Sequence, residues 1–519
     1  MRGAVAAGHF LTAAAGARVL EEGGNAVDAC VAAAFAAWVA ESPLTGPGAG
    51  GFALVLPSGG RPARVADFFV CTPGIGRLAP GAAEMHAIDV AFGGDGETTQ
   101  VFRIGEASCA VPGAAAGLEA VHRAYGRLPW RVLLEPAIEL ARSGVELSRP
   151  QAHLHAILDL ILRHTDEGRR IYSRPDGSRL GPGDRLNVPD LGVTLGQLAE
   201  GGAAALYRGE LAQAIVRAVD AGGGITRRDL ADYRVVWRRP VRVGYLGHEV
   251  ISNPPPSSGG ILIAYGLALL AHAHRGAAGS AEAIASLVEV MREQTRVREG
   301  FANALHRGGL ARRLLSPEGI AEGLARIAAG APGLVEPAPA GTTHVSVVDS
   351  AGTACSLTSS TGSGSGVIVP GTGIHLNNML GEYDLVAAGP ATPGRRLTSM
   401  MAPTVVVGPE GPRLVVGSAG SVRLRGAIMQ VIANVIAHGL DVAAAIDHPR
   451  VHVDEPHVHC EGGFDPAELD RVESFGYDVV RWRRRNLFFG GANAVEARDG
   501  SLAAAGDARR GGAGIVTGN

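Results

Sequence analysis

Gly341-Thr342-Thr343-His344-Val345-Ser346-Val347-Val348-Asp349 is the stretch from which the fold can be read. Its β-branched residues predict a strand opening at Thr342, and Asp349-Ser350-Ala351-Gly352 supplies a turn. A second strand over Thr353–Thr358 completes a hairpin. Ahead of it, Pro332–Pro339 reads as a loop poor in structure formers. The Thr342 strand therefore opens directly behind a loose connection, and its expected place is a sheet edge.

A chain of 519 residues can bury a large core, in one big unit or in two to four smaller ones. A net charge of −3 offers no electrostatic basis for binding nucleic acid or an anionic membrane, and 5% aromatic residues make a poor base-stacking surface. All 47 basic residues are Arg, which excludes a Schiff-base lysine, a phosphate-loop lysine and a Ser-Lys pair. Five scattered Cys without a CxxC pair read as core residues of a reducing compartment. With no signal-peptide pattern at Met1–Val5, and Ala29–Ala40 too short to span a bilayer, the expected location is cytoplasmic.

In chain order, Leu11–Glu22 reads as a helix stopped by Gly23-Gly24, and Asn25 caps a second, wholly apolar helix over Ala26–Glu41. Gly46-Pro47-Gly48-Ala49-Gly50-Gly51 fits GxGxxG, but no strand precedes it and a strand, Phe52–Leu56, follows. That context predicts a tight loop packed on other backbone, not a dinucleotide site. Arg64–Val70 is a further strand, and Val111-Pro112-Gly113 and Glu135-Pro136-Ala137 open helical stretches. Pro254-Pro255-Pro256-Ser257-Ser258-Gly259-Gly260 is a rigid turn between the Glu249–Ser252 strand and the Ile261–His272 helix. Ser359–Gly366 reads as a flexible, solvated Gly/Ser loop. Leu414–Ser421 is a strand ending in a Gly/Ser turn ahead of a helix over Val422–His438; unpaired amides there make an anion-binding arrangement. His448, His452, His457 and His459 cluster with Asp454, Glu455 and Cys460, but the alternation of His457 and His459 within a strand argues against a metal, and none is expected.

Taken jointly, these segments resemble the γ-glutamyltransferase (γ-glutamyltranspeptidase, glutathione hydrolase) family. The matching runs are Thr342–Asp349, Glu22–Ala29, Gly46–Phe52, Ile225–Tyr233, Pro254–Gly260, Gly373–Glu382 and Gly394–Thr404, in order along nearly the whole chain. The resemblance implies an α+β fold, the αββα four-layer sandwich of N-terminal-nucleophile hydrolases. It implies a precursor cleaved between Gly341 and Thr342 into a large subunit, 1–341, and a small one, 342–519, forming one catalytic unit.

The resemblance also implies site roles. Thr342 is the nucleophile and its freed amine the base; Gly420 and Ser421 supply oxyanion amides, and Ser360 sets a second hydroxyl against Thr342. Of the γ-glutamyl pocket, Glu382 and Ser399 keep their chemistry. Phe69 stands where the family has its carboxylate-binding Arg, Gly362 where it has Asn, Met379 where it has Gln and Met400 where it has Ser. The expected substrate is a small amide or peptide, glutathione-like or carrying another acyl group, with no metal and no organic cofactor. Three readings stay open: a γ-glutamyl enzyme whose clamp is rebuilt from Arg395, Arg396 or Arg423, an amidohydrolase or acylase on another acyl amide, and a silent scaffold.

Overall fold

A computed structural model describes the chain except residues 1–2, 77–83, 93–97, 273–275, 302–303, 331–340, 383–391, 422 and 519. The expected loop over Pro332–Pro339 thus lies outside the described residues, as does Val422. Two antiparallel sheets stack face to face. The first has seven strands in the order Ala513–Thr517, Gly3–Ala7, Thr343–Asp349, Ala354–Ser360, Gly50–Leu56, Arg64–Phe68 and Val236–Arg238. The second has six: Ser501–Ala505, Gly491–Arg498, Gly411–Ala419, Thr404–Gly408, His248–Ser252 and Val241–Tyr245. Helices Phe10–Glu21, Ala26–Ala40 and Ala114–Tyr125 cover the outer face of the first sheet. Helices Gly259–Leu270 and Arg423–Ile436 cover the second. The arrangement is the expected αββα sandwich.

The second helix shows why the sequence folds this way. Asn25 accepts from the amides of Val27 and Asp28, and the Asp28 carboxylate accepts from the Asn25 amide, a complete capping box. Every residue from Ala26 to Ala40 is buried. This helix therefore forms the centre of one core cluster, packing on Val345, Val347 and Leu357 of the first sheet.

The hairpin is present, but its place differs from expectation. Thr343–Asp349 is an inner strand, paired with Ala354–Ser360 on one side and with Gly3–Ala7 on the other. The added partner comes from the far N-terminus, which pairs in turn with Ala513–Thr517. Alternation then sets the side chains: Val345 and Val347 face the helices, while His344, Ser346 and Val348 face the second sheet. His344 lies with Gly417 directly beneath it, where a Cβ would come within 2.3 Å of the imidazole. Its ring nitrogens bond the Thr358 and Ser346 hydroxyls at 2.8 and 2.9 Å, and burial holds its pKa down to about 3. His344 is thus neutral, hydrogen-bonded within the first sheet and packed on Gly417 of the second.

Two smaller readings change and a third holds. Ser359–Gly366 is not a solvated loop: Thr361 to Val369 are buried, with Gly362, Gly364 and Gly366 at φ of 72°, 82° and 74°. The positive φ values bring the backbone inward, where side-chain acceptors and donors satisfy it: the Ser363 amide bonds Asn378, and the Ser365 hydroxyl bonds the Leu376 carbonyl. Pro136 lies inside a helix that begins at Trp130. The Gly46–Gly51 run does pack on backbone: a Cβ on Gly48 would lie 2.2 Å from the His375 carbonyl and one on Gly51 2.3 Å from that of Thr358.

Candidate active site

Thr342 sits just ahead of its strand and lines an open cleft of about 320 Å³. The cleft is lined by Phe69, Thr342, Ser360, Met379, Glu382, Ser399, Met400 and Ser421, with Met401 and Leu424. All the expected site residues except Gly341, Gly362 and Gly420 thus line one cavity, and those three adjoin it. Gly341 precedes Thr342 and donates its amide to the Gly362 carbonyl at 3.0 Å. Gly420 precedes Ser421 at the end of the Gly411–Ala419 strand.

The hydroxyls form a directed chain. Thr342 Oγ1 donates to Ser360 Oγ at 3.4 Å, and Ser360 Oγ donates to the Gly341 carbonyl. The Gly362 amide donates back to Ser360 Oγ at 2.8 Å. The Ser360 proton is therefore directed at the carbonyl preceding Thr342. A Cβ on Gly341 would lie 2.4 Å from the Gly362 carbonyl, so the residue ahead of Thr342 has no room for a side chain.

One turn carries two residues with backbone that side chains resist. Gly420 has φ 122°, with Gly490 Cα 2.9 Å from where a Cβ would stand. Ser421 has φ 54°, a left-handed conformation that costs a non-glycine residue of the order of 1–3 kcal/mol. The helix Arg423–Ile436 follows this turn.

One wall of the cleft is apolar. Phe69 is fully buried and stacks on Phe52, ring centroids 5.5 Å apart. Of the three arginines considered as a replacement clamp, none lines the cleft among the described residues. Arg396 is buried against Asp67 and bonds the Tyr233 hydroxyl at 2.7 Å and the Phe69 carbonyl. Arg423 lies 4.4 Å above the Phe488 ring, and Arg395 gives its carbonyl to the Thr72 amide. Arg396 thus holds the Phe69 backbone in place from behind.

Gly362 and Glu382 are linked. A Cβ on Gly362 would stand 2.1 Å from Asn378 Oδ1 and 2.4 Å from Glu382 Oε1. The Glu382 carboxylate occupies volume that a side chain at 362 would need, so the glycine at 362 and the glutamate at 382 fit each other. Met400 is held from beneath: the Ser258 hydroxyl lies 2.8 Å from its sulfur, and Ser257 and Ser258 donate to the Ser399 carbonyl.

Sequence reasoning missed what lies behind Thr343. Glu41 ends the buried helix and accepts from the hydroxyls of Thr343 at 2.5 Å and Thr12 at 2.7 Å; burial raises its pKa. Arg510 adjoins Gly420, its Nη2 3.8 Å from that residue's Cβ position. A glutamate at a helix end and an arginine near the C-terminus carry no local signal of this placement. The histidine cluster is partnered internally: His457 with Asp478 at 2.8 Å, His459 with the Trp482 indole at 3.1 Å.

Fold and cleft together define an N-terminal-nucleophile hydrolase. The family description Gamma-glutamyltranspeptidase matches residues 12–517, and the chain belongs to that family of enzymes. Among similar proteins, the Acylase ACY 1 proenzyme of Pseudomonas sp. (strain V22) is 33% identical over 97% of this chain and 91% of its own length. The Glutathione hydrolase proenzyme of Escherichia coli (strain K12) is 31% identical over 90% of this chain and 83% of its own. Among solved structures, the cephalosporin acylase from Bacillus halodurans superposes with a TM-score of 0.83 at 25% identity, covering 99% of this chain and 95% of that one. No helix among the described residues is long and apolar enough to cross a membrane.

Proposed function

We propose that the chain is a precursor that cleaves itself before Thr342 and then, through Thr342, hydrolyses or transfers an acyl group that bears no α-carboxylate. In the cleavage, Thr342 Oγ1 attacks the Gly341 carbonyl carbon. Its proton passes to Ser360 as the Ser360 proton moves to the Gly341 oxygen. On collapse the Gly341 carbonyl re-forms and its proton passes, by way of Ser360, to the departing nitrogen as the peptide C–N bond breaks; this leaves an ester on Thr342 and frees its amine, and water hydrolyses the ester.

In turnover the freed amine is the base. Its ordinary pKa of about 7.7–8.0 suits neutral pH. It takes the Thr342 proton as Oγ1 adds to the substrate carbonyl, and the oxyanion is held by the Gly420 and Ser421 amides. One such donor contributes roughly 2.7–4 kcal/mol to the transition state. The amine's proton goes to the departing nitrogen, and water or another amine resolves the acyl-enzyme.

The observation that carries the acyl assignment is the Phe69 wall. A ring stacked on Phe52, backed by an Arg396 already bonded to Asp67, offers a carboxylate no donor. Met379, Met400 and Met401 extend that apolar surface, and Glu382 is the one charge among the described lining residues. The pocket suits an aliphatic acyl chain whose far end carries an amine. The similarity to an acylase as well as to glutathione hydrolases supports this reading.

The test has two parts. Purified protein should run as two bands on a denaturing gel and Thr342→Ala as one. Processed enzyme should favour 4-aminobutyryl p-nitroanilide over γ-glutamyl p-nitroanilide by at least about tenfold in kcat/KM, as a lost charge-assisted bond contributes about 1.5–3 kcal/mol. A clear preference for the γ-glutamyl compound would return the enzyme to the glutathione hydrolase branch.

A further inference from the structure

Behind the cleavage junction lies a second cavity, of about 430 Å³, whose lining includes Glu41, Leu44, Gln151, His155, Leu487 and Arg510. Two residues without side chains, each next in sequence to a residue of the cleft, lie against the lining of this cavity. Gly341 is one: its Cβ position lies 3.1 Å from Leu44 on the cavity side and 2.4 Å from the Gly362 carbonyl on the other. Gly420 is the second: its Cβ position lies 3.8 Å from Arg510 Nη2 on the cavity side, and it is followed in sequence by Ser421 of the cleft. Self-cleavage would break the bond that ties Gly341 to Thr342 and leave Gly341 as a new C-terminus, loosening the chain at this point.

The cavity's charges are uneven. Arg509, also in the lining, is bound to Glu461 and Asp507. Glu41 is held by two threonine hydroxyls, and burial shifts it toward the neutral form. Burial pulls His155 down to about 4, so it is uncharged at neutral pH. Gln151 gives its amide to the Ala40 carbonyl. Arg510 differs: its Nε is buried with no hydrogen-bond partner among the described residues. A guanidinium in that position is a ready carboxylate binder, and the leucines around it accommodate an apolar body.

We propose that this cavity is the leaving-group subsite of the processed enzyme, and that Arg510 selects amides whose departing amine carries a carboxylate. The assignment rests on the self-cleavage and Thr342 chemistry proposed above. The acyl part would lie against Phe69 and the methionines, the scissile carbonyl at Thr342, and the departing nitrogen towards Gly420 and Arg510. Arg510 neither gives nor takes a proton; it positions the anion.

The experiment compares 4-aminobutyryl amides of 3-aminobenzoate and of aniline on processed enzyme. The ratio of their kcat/KM values should favour the carboxylate by about ten- to hundredfold, and free 3-aminobenzoate should inhibit competitively where aniline does not. In Arg510→Gln the ratio should fall to near one, with Arg510→Lys between. A wild-type ratio near one, or an unchanged ratio in Arg510→Gln, overturns the subsite while leaving the Thr342 chemistry standing. The wild-type ratio and inhibition decide the matter even if the variants do not fold. A wild-type chain that stays uncut and turns over neither amide overturns the proposed function, and the subsite with it.

Discussion

Ser360 makes the sharpest demand of any single residue. Its hydroxyl donates to the carbonyl ahead of Thr342 and accepts from Thr342 itself. Removing it leaves the developing charge one donor short, and such bonds contribute about 1.5–3 kcal/mol. Ser360→Ala should slow self-cleavage by about ten- to hundredfold, read as the half-life of the full-length band; Ser360→Thr should cleave within a few-fold of wild type. Equal half-lives for Ser360→Ala and wild type would remove Ser360 from the mechanism. The Gly362–Glu382 pair makes a second demand. Restoring Asn at 362 alone drives its side chain into Asn378 and Glu382, whereas shortening Glu382 to Asp withdraws one of the two obstacles. In a double-mutant cycle, Gly362→Asn with Glu382→Asp should be less destabilised than the two single costs summed, with a coupling within about 0.5–3 kcal/mol. Additive thermal shifts would show that the two positions are independent.

At the scale of elements, the Pro254–Gly260 turn positions the floor of the cleft. Ser257 and Ser258 hold the carbonyls of Ser399 and Met401, and the Ser258 amide bonds Ser399 at 2.7 Å. Gly259 allows the approach: a Cβ there would lie 1.9 Å from the Met400 carbonyl, backbone that cannot rotate away. Gly259→Ala should destabilise by about 1–3 kcal/mol, in the range of overpacking, and should raise KM because Met400 and Ser399 move with the turn. Unaltered melting and unaltered KM would dissociate turn and pocket. A rigid turn was legible in the Pro-Pro-Pro-Ser-Ser-Gly-Gly run; the segment it clamps was not, since Ser257 and Ser399 are brought together only by the fold.

At the scale of the whole molecule, each sheet draws strands from both sides of the Gly341–Thr342 bond. The first sheet pairs Gly3–Ala7 with Thr343–Asp349, and Gly50–Leu56 with Ala354–Ser360. The second pairs His248–Ser252 with Thr404–Gly408. Cut fragments should therefore co-elute in buffer and part only in denaturant; separation without denaturant would contradict the interleaved ladders. Stability should also fall in acid. His344, His375, His155 and His459 are held by burial at about 3, 4, 4 and 4, below the ordinary 6.5. Between those values the unfolded chain binds more protons than the folded one. Their contribution is complete above about pH 6.5 and is lost as pH falls towards 4, at about 1.4 kcal/mol per pH unit for each imidazole. Glu41, raised by burial, acts in the opposite sense but is one group against four. The urea midpoint should drop steeply from pH 7 to pH 5, and a flat profile would refute this accounting.

The sequence by itself determined what depends on neighbours along the chain. The hairpin at Thr343, the Asn25 cap, the buried second helix and the Gly/Ser turn at Gly420 each follow from adjacent residues, and the motif order brought nearly the whole candidate site into view. Tertiary structure decided what depends on distant pairing. Thr343–Asp349 is an inner strand because residues 3–7 close its other side, a pairing across more than three hundred positions that no local pattern encodes. Ser359–Gly366 is buried because Asn378 and Leu376 satisfy it, where composition alone suggested solvent. Glu41 and Arg510 lie beside the Thr342 junction only once the sheets have stacked, since a charged side chain gains a role from the charges and cavities around it, and those are assembled from segments far apart along the chain.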